Sequence, residues 1–472
     1  DFDTINIISE IEDLLSFFNN ILDPNLINKL SCILLLSCSK ISYNKYPDIP
    51  NEFSYILDNL FKKSIPYSHW KYLELICNWF GLFNYSSSIR IIKSNFCLSR
   101  VNKNPISIHN LKDAIKDCFS NCEFEQASHF IDKLVLISPQ SSFVIKSLAF
   151  SELMKGNIHN FRKFWPSSVS NKDSQYCEFL KDKNVIIIGP SVPNEKYKIN
   201  LSKTDIVIRC NHRYSIGPEL SNFIGNQSDI SIFNSHSSRL LSNINFDFDN
   251  SPASNLSFLL VRKSNSKLSS IADLKSVTVR QIYECDEIFD FSFNTLQALI
   301  FDLVLNGVNS VKIYNFDFYT NYFHHYPNYR INDEINDQSD LDELKPVFAN
   351  HDFLFQRKLT SIFMRIGIIK VLPDTESILS ISDSEYIDKL NISNNKVNSY
   401  ISSLRRKIDL DFIAMANKSY KLSNFKFSSI FYELAFELDS PKKSITSILN
   451  YNKSLIKLGK YQEADHFISM MK

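Results

Sequence analysis

The chain has 472 residues, 44% of them hydrophobic and 22% charged, with a formal net charge of +1 at pH 7. That balance describes a soluble globular protein with a sizeable core, and the length allows two or three domains. It excludes an overall field that would draw the protein to nucleic acid or anionic lipid, so any anionic ligand must be held by local donors.

Residues 1–105 read as a helical region. Apolar positions recur at three- and four-residue spacing, as in Ile11, Leu14, Leu15, Phe18, Ile21 and Leu22. Residues 106–178 read as helical hairpins, and 123–139 resemble the second helix of a tetratricopeptide repeat with its closing Pro139. The character changes at Lys183. Only eight glycines occur, and five of them (Gly189, Gly217, Gly225, Gly307, Gly367) fall between 180 and 370, which points to turn-rich α/β structure there. Short continuous apolar runs at 184–189, 205–209 and 229–233, continued at 256–261, 276–279 and 311–314, read as strands buried on both faces. Helical patterns at 295–305 and 351–364 lie among them. Strands alternating with helices predict an α/β domain over 179–375, a Rossmann-like doubly wound parallel sheet. Residues 376–472 read as a second all-α flank, partly tetratricopeptide-like, with 458–465 as a small-residue turn opening an amphipathic helix.

No apolar run reaches the ~18 residues of a membrane span. Nine scattered cysteines, with no C-x-x-C pair and no Cys/His set at zinc spacing, predict buried reduced thiols in a cytoplasmic protein without a metal centre. Contact with a protein, or with the inner face of the cell membrane, is left open through the helical flanks.

In such sheets ligands bind beyond the carboxyl ends of the strands, so the residues following each run are the candidate site. Gly189-Pro190-Ser191 follows the first, where backbone N–H groups can hold phosphate or ribose oxygens. Asn211 follows the second, and Asn234 and Ser235 the third; an amide both donates and accepts, which suits a pyrimidine edge or ribose hydroxyls. After 311–314 come Asn315, Asp317 and Tyr319, then Tyr322 and Tyr326, whose phenols can donate to a departing phosphate. His324, His325, Asp317 and Asp333 have no regular ligand spacing, so no metal is expected. His351 opens the helix at 351–364 and is a candidate general base.

Taken in order, Ile186-Ile-Ile-Gly-Pro-Ser191, Asp205-Ile-Val-Ile-Arg-Cys-Asn211, Ile224-Gly225, Ile232-Phe-Asn234, Asn294-Thr295, Ile313-Tyr-Asn-Phe-Asp-Phe-Tyr319 and His351 resemble bacterial sialyltransferases of the small lipooligosaccharide type, with a fainter similarity to animal sialyl motifs. The similarity covers about 180–375. It implies a sialyltransferase-like GT-A variant and an inverting, metal-independent transfer from a CMP-activated nonulosonate to a glycan or glycolipid, with no cofactor. It also implies roles: Gly189, Ser191, Asn211 and Asn234 for the CMP moiety, Asn294 and Thr295 toward the phosphate, Tyr319 and Tyr326 (or Tyr322) on the leaving group, and His351 as the base. The chain departs from the family where Ile187-Ile188 precede Gly189 and where Asn294-Thr295-Leu296 opens the phosphate-facing helix. Two other readings stay open. One is a Kdo, pseudaminic or legionaminic acid transferase, retaining through Asp229 or Asp317. The other is a non-catalytic tetratricopeptide-like interaction protein with a degenerate Rossmann domain.

Overall fold

A computed structural model describes Phe18 and residues 49–61, 65–79, 81–165, 171–191, 199, 201–202, 205–212, 218–234, 238, 241–242, 249–262, 266–273, 277–283, 286–321 and 352–403. Toward the C-terminus it describes 416–417, 420–421, 425, 428–429, 432 and 445–470. The chain forms two compact units, Asp1–Lys63 with Ile401–Lys472, and Ser64–Tyr400. The first contains helices α1 (Ile49–Leu60), α15 (Ile445–Lys457) and α16 (Tyr461–Met470). Within it Asn417 accepts hydrogen bonds from Tyr432 and Asn450.

The second unit opens with helices α2 (Tyr67–Trp79), α3 (Phe83–Lys103), α4 (Ile108–Ser120), α5 (Phe124–Ile137), α6 (Ser142–Met154), α7 (Ile158–Phe164) and α8 (Asn171–Leu180). Successive helices from α2 to α7 pack on one another. Their starts are set locally: the Ser107 hydroxyl accepts from the amide of Asn110, and Asn157 accepts from that of Asn160, each answering an orphan N–H of the first turn. Phe289, just before α11, binds these helices to the rest of the unit. Its ring meets Phe119 of α4, Phe150 of α6, and Phe293 and Phe355 at centroid distances of 5.7, 5.0, 4.9 and 5.4 Å. Pairs of this kind contribute about 0.5–1.5 kcal/mol each beyond simple burial.

The sheet is all parallel, with strands β1 (Asn184–Ile188), β2 (Asp205–Cys210), β3 (Ile230–Phe233), β4 (Phe258–Val261), β5 (Thr278–Gln281), β6 (Val311–Tyr314) and β7 (Ile369–Val371) in the order β5-β4-β3-β2-β1-β6-β7. Between and after them lie α9 (Pro218–Ile224), α10 (Ser266–Asp273), α11 (Thr295–Leu305), α12 (Phe353–Arg365), α13 (Pro373–Ser380) and α14 (Asp383–Ser403). This is an α/β fold. The chain lays down β1 to β5 in one direction, then returns to place β6 on the other side of β1, in register from Val185 opposite Val311 to Ile188 opposite Tyr314.

Four details differ from the sequence expectation. β4 begins at Phe258 and not at 256, because Leu256 closes a short helical turn over Pro252–Asn255. β5 lies two residues later than 276–279, because its inward Arg280 is buried by bonding Asp173 and Asp302 at 2.7 and 2.8 Å and not by being apolar. The helix expected from 351 begins at Phe353, because the Asp352 carboxylate caps it by accepting from the amide of Phe355. β7 is three residues long, too short for an apolar run to announce it. Among the described residues no helix is long and apolar enough to cross a membrane.

Candidate functional site

The direction of strand addition reverses between β1 and β6, and in open parallel sheets the crevice at such a reversal is where ligands sit. Strands β3, β2, β1 and β6 are consecutive neighbours, so their carboxyl ends line one edge over roughly 15 Å, three inter-strand spacings. Asn234, Asn211, Gly189-Pro190-Ser191 and the 315–319 segment follow those four ends.

At the junction the ladder continues past the strands. Gly189 N–H donates to the Tyr314 carbonyl at 2.8 Å, and Ser191 N–H donates to that of Asn315 at 3.3 Å. A Cβ on Gly189 would lie 2.3 Å from the Asn315 oxygen, so the glycine is there for the close approach of β6. The sequence offers these N–H groups to phosphate or ribose oxygens; they are instead spent on the sheet, and Pro190 has none. The Ser191 hydroxyl remains, next to Asp317.

Strain gathers at the same edge. Asn211, Asn315, Phe318 and Tyr319 all hold left-handed φ, between 48° and 65°, which costs of order 1–3 kcal/mol each and persists only where surroundings enforce it. The enforcement is visible. Tyr386 of α14 donates to the Phe318 carbonyl at 2.7 Å, Thr375 donates to that of Phe316, and the Tyr319 ring stacks on Phe353 at 4.3 Å. Asp317 accepts from the Tyr319 amide through Oδ1, while its buried Oδ2 has no partner among the described residues. Burial pushes its carboxyl up to about 6, against the pull of the neighbouring Ser191 hydroxyl and backbone amides. The Asn315 side-chain nitrogen is likewise buried and unmatched.

At the β2 and β3 ends the Asn211 side chain accepts from the Asn234 amide at 3.1 Å, so it fixes the spacing of the two loops. Behind it Arg209, fully buried, donates to the carbonyls of Ile224, Gly225 and Gln227. The Cys210 thiol is pushed up to about 12 by burial and is chemically quiet. His212, passed over in the sequence, sits here with its amide on Ser231, its Nδ1 buried and unmatched, and its pKa driven down to about 3 by burial and Arg209. Its place directly after Arg-Cys-Asn was the available signal. Asp229 precedes β3, at the amino end, and accepts from Val207 N–H and Gln227. It is on the wrong edge to be a nucleophile.

Asn294 is the N-cap of α11 but makes no side-chain cap; its Oδ1 is buried and unmatched, and its amide donates to Gln356 of α12. Thr295 is the first residue of that helix, so α11 presents an N-terminus without a side-chain acceptor, a place suited to an anion. Arg262, after β4, donates to the Phe293 carbonyl at 2.5 Å and brings a guanidinium beside it, a second residue the sequence reading missed. His351, Tyr322, Tyr326 and Ser235 lie outside the described residues.

A separate polar hollow of about 20 Å³, room for about one water molecule, lies between α2, α3, α4 and the start of α12. Arg90 bonds Glu74 at 3.0 Å and Asp352 at 2.6 Å; Lys93 bonds Glu74 at 2.8 Å; Lys71 and Tyr67 bond Asp290 at 3.4 and 2.6 Å. Burial alone would raise Glu74 and Asp290, but the adjacent cations hold both carboxyls below their ordinary values. Burial raises Asp117 to about 6. None of these residues stood out in the sequence. Among the described residues no group of three His, Cys, Asp or Glu side chains is arranged to hold a metal ion.

No family model matches the chain, and no curated protein is detectably similar to it.

Proposed function

We propose that this chain is a glycosyltransferase that moves sialic acid, or a related nonulosonate, from a CMP-sugar to a glycan hydroxyl in surface polysaccharide or lipopolysaccharide synthesis, on a Rossmann-like, doubly wound domain of the sialyltransferase type. The observation that carries it is the gathering of Ser191, Asn211, Asn234, Asp317 and Tyr319 along four adjacent strand ends at the sheet's reversal. Those residue types suit a nucleotide sugar: amides for pyrimidine and ribose, hydroxyl and phenol for phosphate.

The reaction asks little of the protein. The donor's anomeric carbon carries a carboxylate, and breaking its bond to the CMP phosphate leaves an oxocarbenium-like centre while the electron pair goes to the phosphate. Tyr319 and Tyr326 donate to that phosphate, the α11 N-terminus at Asn294 and Thr295 adds its dipole, and Arg262 adds positive charge. An acceptor hydroxyl forms the new bond as His351 takes its proton. In the retaining alternative, for Kdo, pseudaminic or legionaminic acid, only Asp317 of the two aspartates is on the site's edge of the sheet. The anomeric configuration of the product, read by NMR, separates the two courses.

One observation favours the non-catalytic reading, a scaffold with a degenerate Rossmann domain: the amides of Gly189 and Ser191 are committed to β6 and cannot hold a phosphate. Calorimetry with CTP, CMP and CMP-sugars tests between them. Cytidine nucleotide binding, with transfer lost in His351→Ala while CMP binding remains, is the expected result; no binding of any cytidine nucleotide leaves the scaffold.

A further inference from the structure

We propose that Arg90, in the helical array, is a positioning residue for the leaving-group end of the candidate site, acting through Asp352. The phosphate roles of the groups it positions rest on the function proposed above; the coupling between them does not.

Asp352 uses both of its carboxylate oxygens. Oδ1 accepts from the Phe355 amide at 3.0 Å and caps α12, while Oδ2 accepts from Arg90 Nη2 at 2.6 Å. The guanidinium is itself held in place. It donates to Glu74 Oε1 of α2 at 3.0 Å and to the carbonyl of Ser120, the last residue of α4, at 3.4 Å. Arg90 and Asp352 are each 7% exposed, so the attraction between them is poorly screened and breaking it is costly. Apolar side chains of the same volume would stabilise the fold as well. What the pair adds is direction: α2, α3 and α4 converge on one capping carboxylate and fix where the first turn of α12 points.

That turn carries two supports. Phe353, buried, stacks on Tyr319 at 4.3 Å with 28° between the rings. Tyr319 holds a left-handed φ of 65°, which lasts only where its surroundings enforce it. Gln356, buried, accepts from the Asn294 amide at 3.2 Å and donates to the Ser292 carbonyl at 3.2 Å. Asn294 is the N-cap of α11. Residues three apart share a helix face, so any rotation or slide of this turn moves both supports together. The phenol and the α11 N-terminus are the two groups assigned above to the departing phosphate. A misplacement of about 1 Å at such groups can cost a hundredfold in rate.

Asp352→Asn in the full chain tests this, because asparagine caps a helix as well as aspartate but offers Arg90 no anion. Hydrogen exchange by mass spectrometry over 290–298 and 315–321 is one readout. Steady-state release of CMP from CMP-N-acetylneuraminic acid is the other. Exchange in both segments rises by roughly tenfold, and kcat falls by about tenfold to a hundredfold while KM stays within about twofold. Lys93→Met is the control. It takes a buried cation from the same network, leaves Arg90 and Asp352 paired, and changes both readouts by less than about twofold. Arg90→Met combined with Asp352→Asn removes both charges, keeps Glu74 paired with Lys93, and reproduces Asp352→Asn with no stranded charge. Unchanged exchange in either segment, unchanged kcat in an active enzyme, or a Lys93→Met protein that matches Asp352→Asn overturns the proposal. A parent chain that releases no CMP, while exchange responds as stated, sinks the transferase alone.

Discussion

Replacing Gly189 by alanine probes the β1–β6 junction on which the candidate site is built. The new Cβ would stand 2.3 Å from the Asn315 oxygen and 2.9 Å from both the Asn315 carbonyl carbon and Phe316 Cδ2. Two of those atoms are backbone, so no rotamer change relieves the contact; the exit of β6 must move away by most of an ångström. Overpacking of this kind costs about 1–3 kcal/mol, and the movement also stretches the bonds from Gly189 to Tyr314 and from Ser191 to Asn315. A loss of about 3 kcal/mol follows, which in a large domain lowers the melting temperature by about 6 °C. Gly156→Ala is the control. Its φ of +79° strains an alanine, but the nearest atom to the new Cβ is 3.9 Å away, so its cost is the left-handed penalty alone, about 1–2 kcal/mol. Thermal and urea unfolding of both variants provide the measurement. A Gly189→Ala protein that melts within about 1 °C of the parent, or that loses less than Gly156→Ala, refutes the close-approach argument.

Asp317→Asn has a pH signature. The folded carboxyl is raised to about 6, above the ~3.9 of an unfolded chain, so its relative stabilisation is fully present below about pH 4 and lost as pH rises through about 6. The amide should therefore stabilise the protein at pH 8 and change little at pH 4 in urea titrations; a less stable variant at pH 8 contradicts the reasoning. Arg280→Met strands the fully buried Asp302 and should cost about 3–5 kcal/mol in urea unfolding, much of it recovered by adding Asp302→Leu. If the double variant is no better than the single, the unpaired charge is not the cause. Asn211→Gly keeps the left-handed backbone and loses the side chain that accepts from Asn234, a bond worth about 1 kcal/mol, whereas Asn211→Ala loses the same side-chain bond and adds the strain of φ +50°, so it should cost about 1 kcal/mol more than the glycine variant. Equal losses would mean that the backbone conformation contributes nothing.

The strands were legible where chemistry was local. Asn184-Val-Ile-Ile-Ile and Asp205-Ile-Val-Ile needed only a continuous apolar run, and the residues ending them, Gly189 and Asn211, stand at the sheet's carboxyl edge. What escaped was what depends on long-range pairing. Arg280 looks like a solvent-facing residue until Asp173 and Asp302, about a hundred and about twenty residues distant, are folded against it. Arg90 and Lys93 read as the polar side of a helix, because nothing nearby shows that Asp290 and Asp352 come to meet them. Gly189 carried two meanings, a ligand turn or a close chain crossing, and only the position of β6 decides between them.

The place of β6 beside β1 also has a consequence for biosynthesis. When β1 leaves the ribosome, one of its edges can be closed by β2 almost at once, but the other waits for a partner roughly 125 residues further on, about 6–25 s at ordinary elongation rates. Throughout that interval the nascent chain holds an apolar central strand with one open hydrogen-bonding flank. Dependence on a holding chaperone, and stalled-chain aggregation when translation slows before Val311, are the expected physiological signature of this topology.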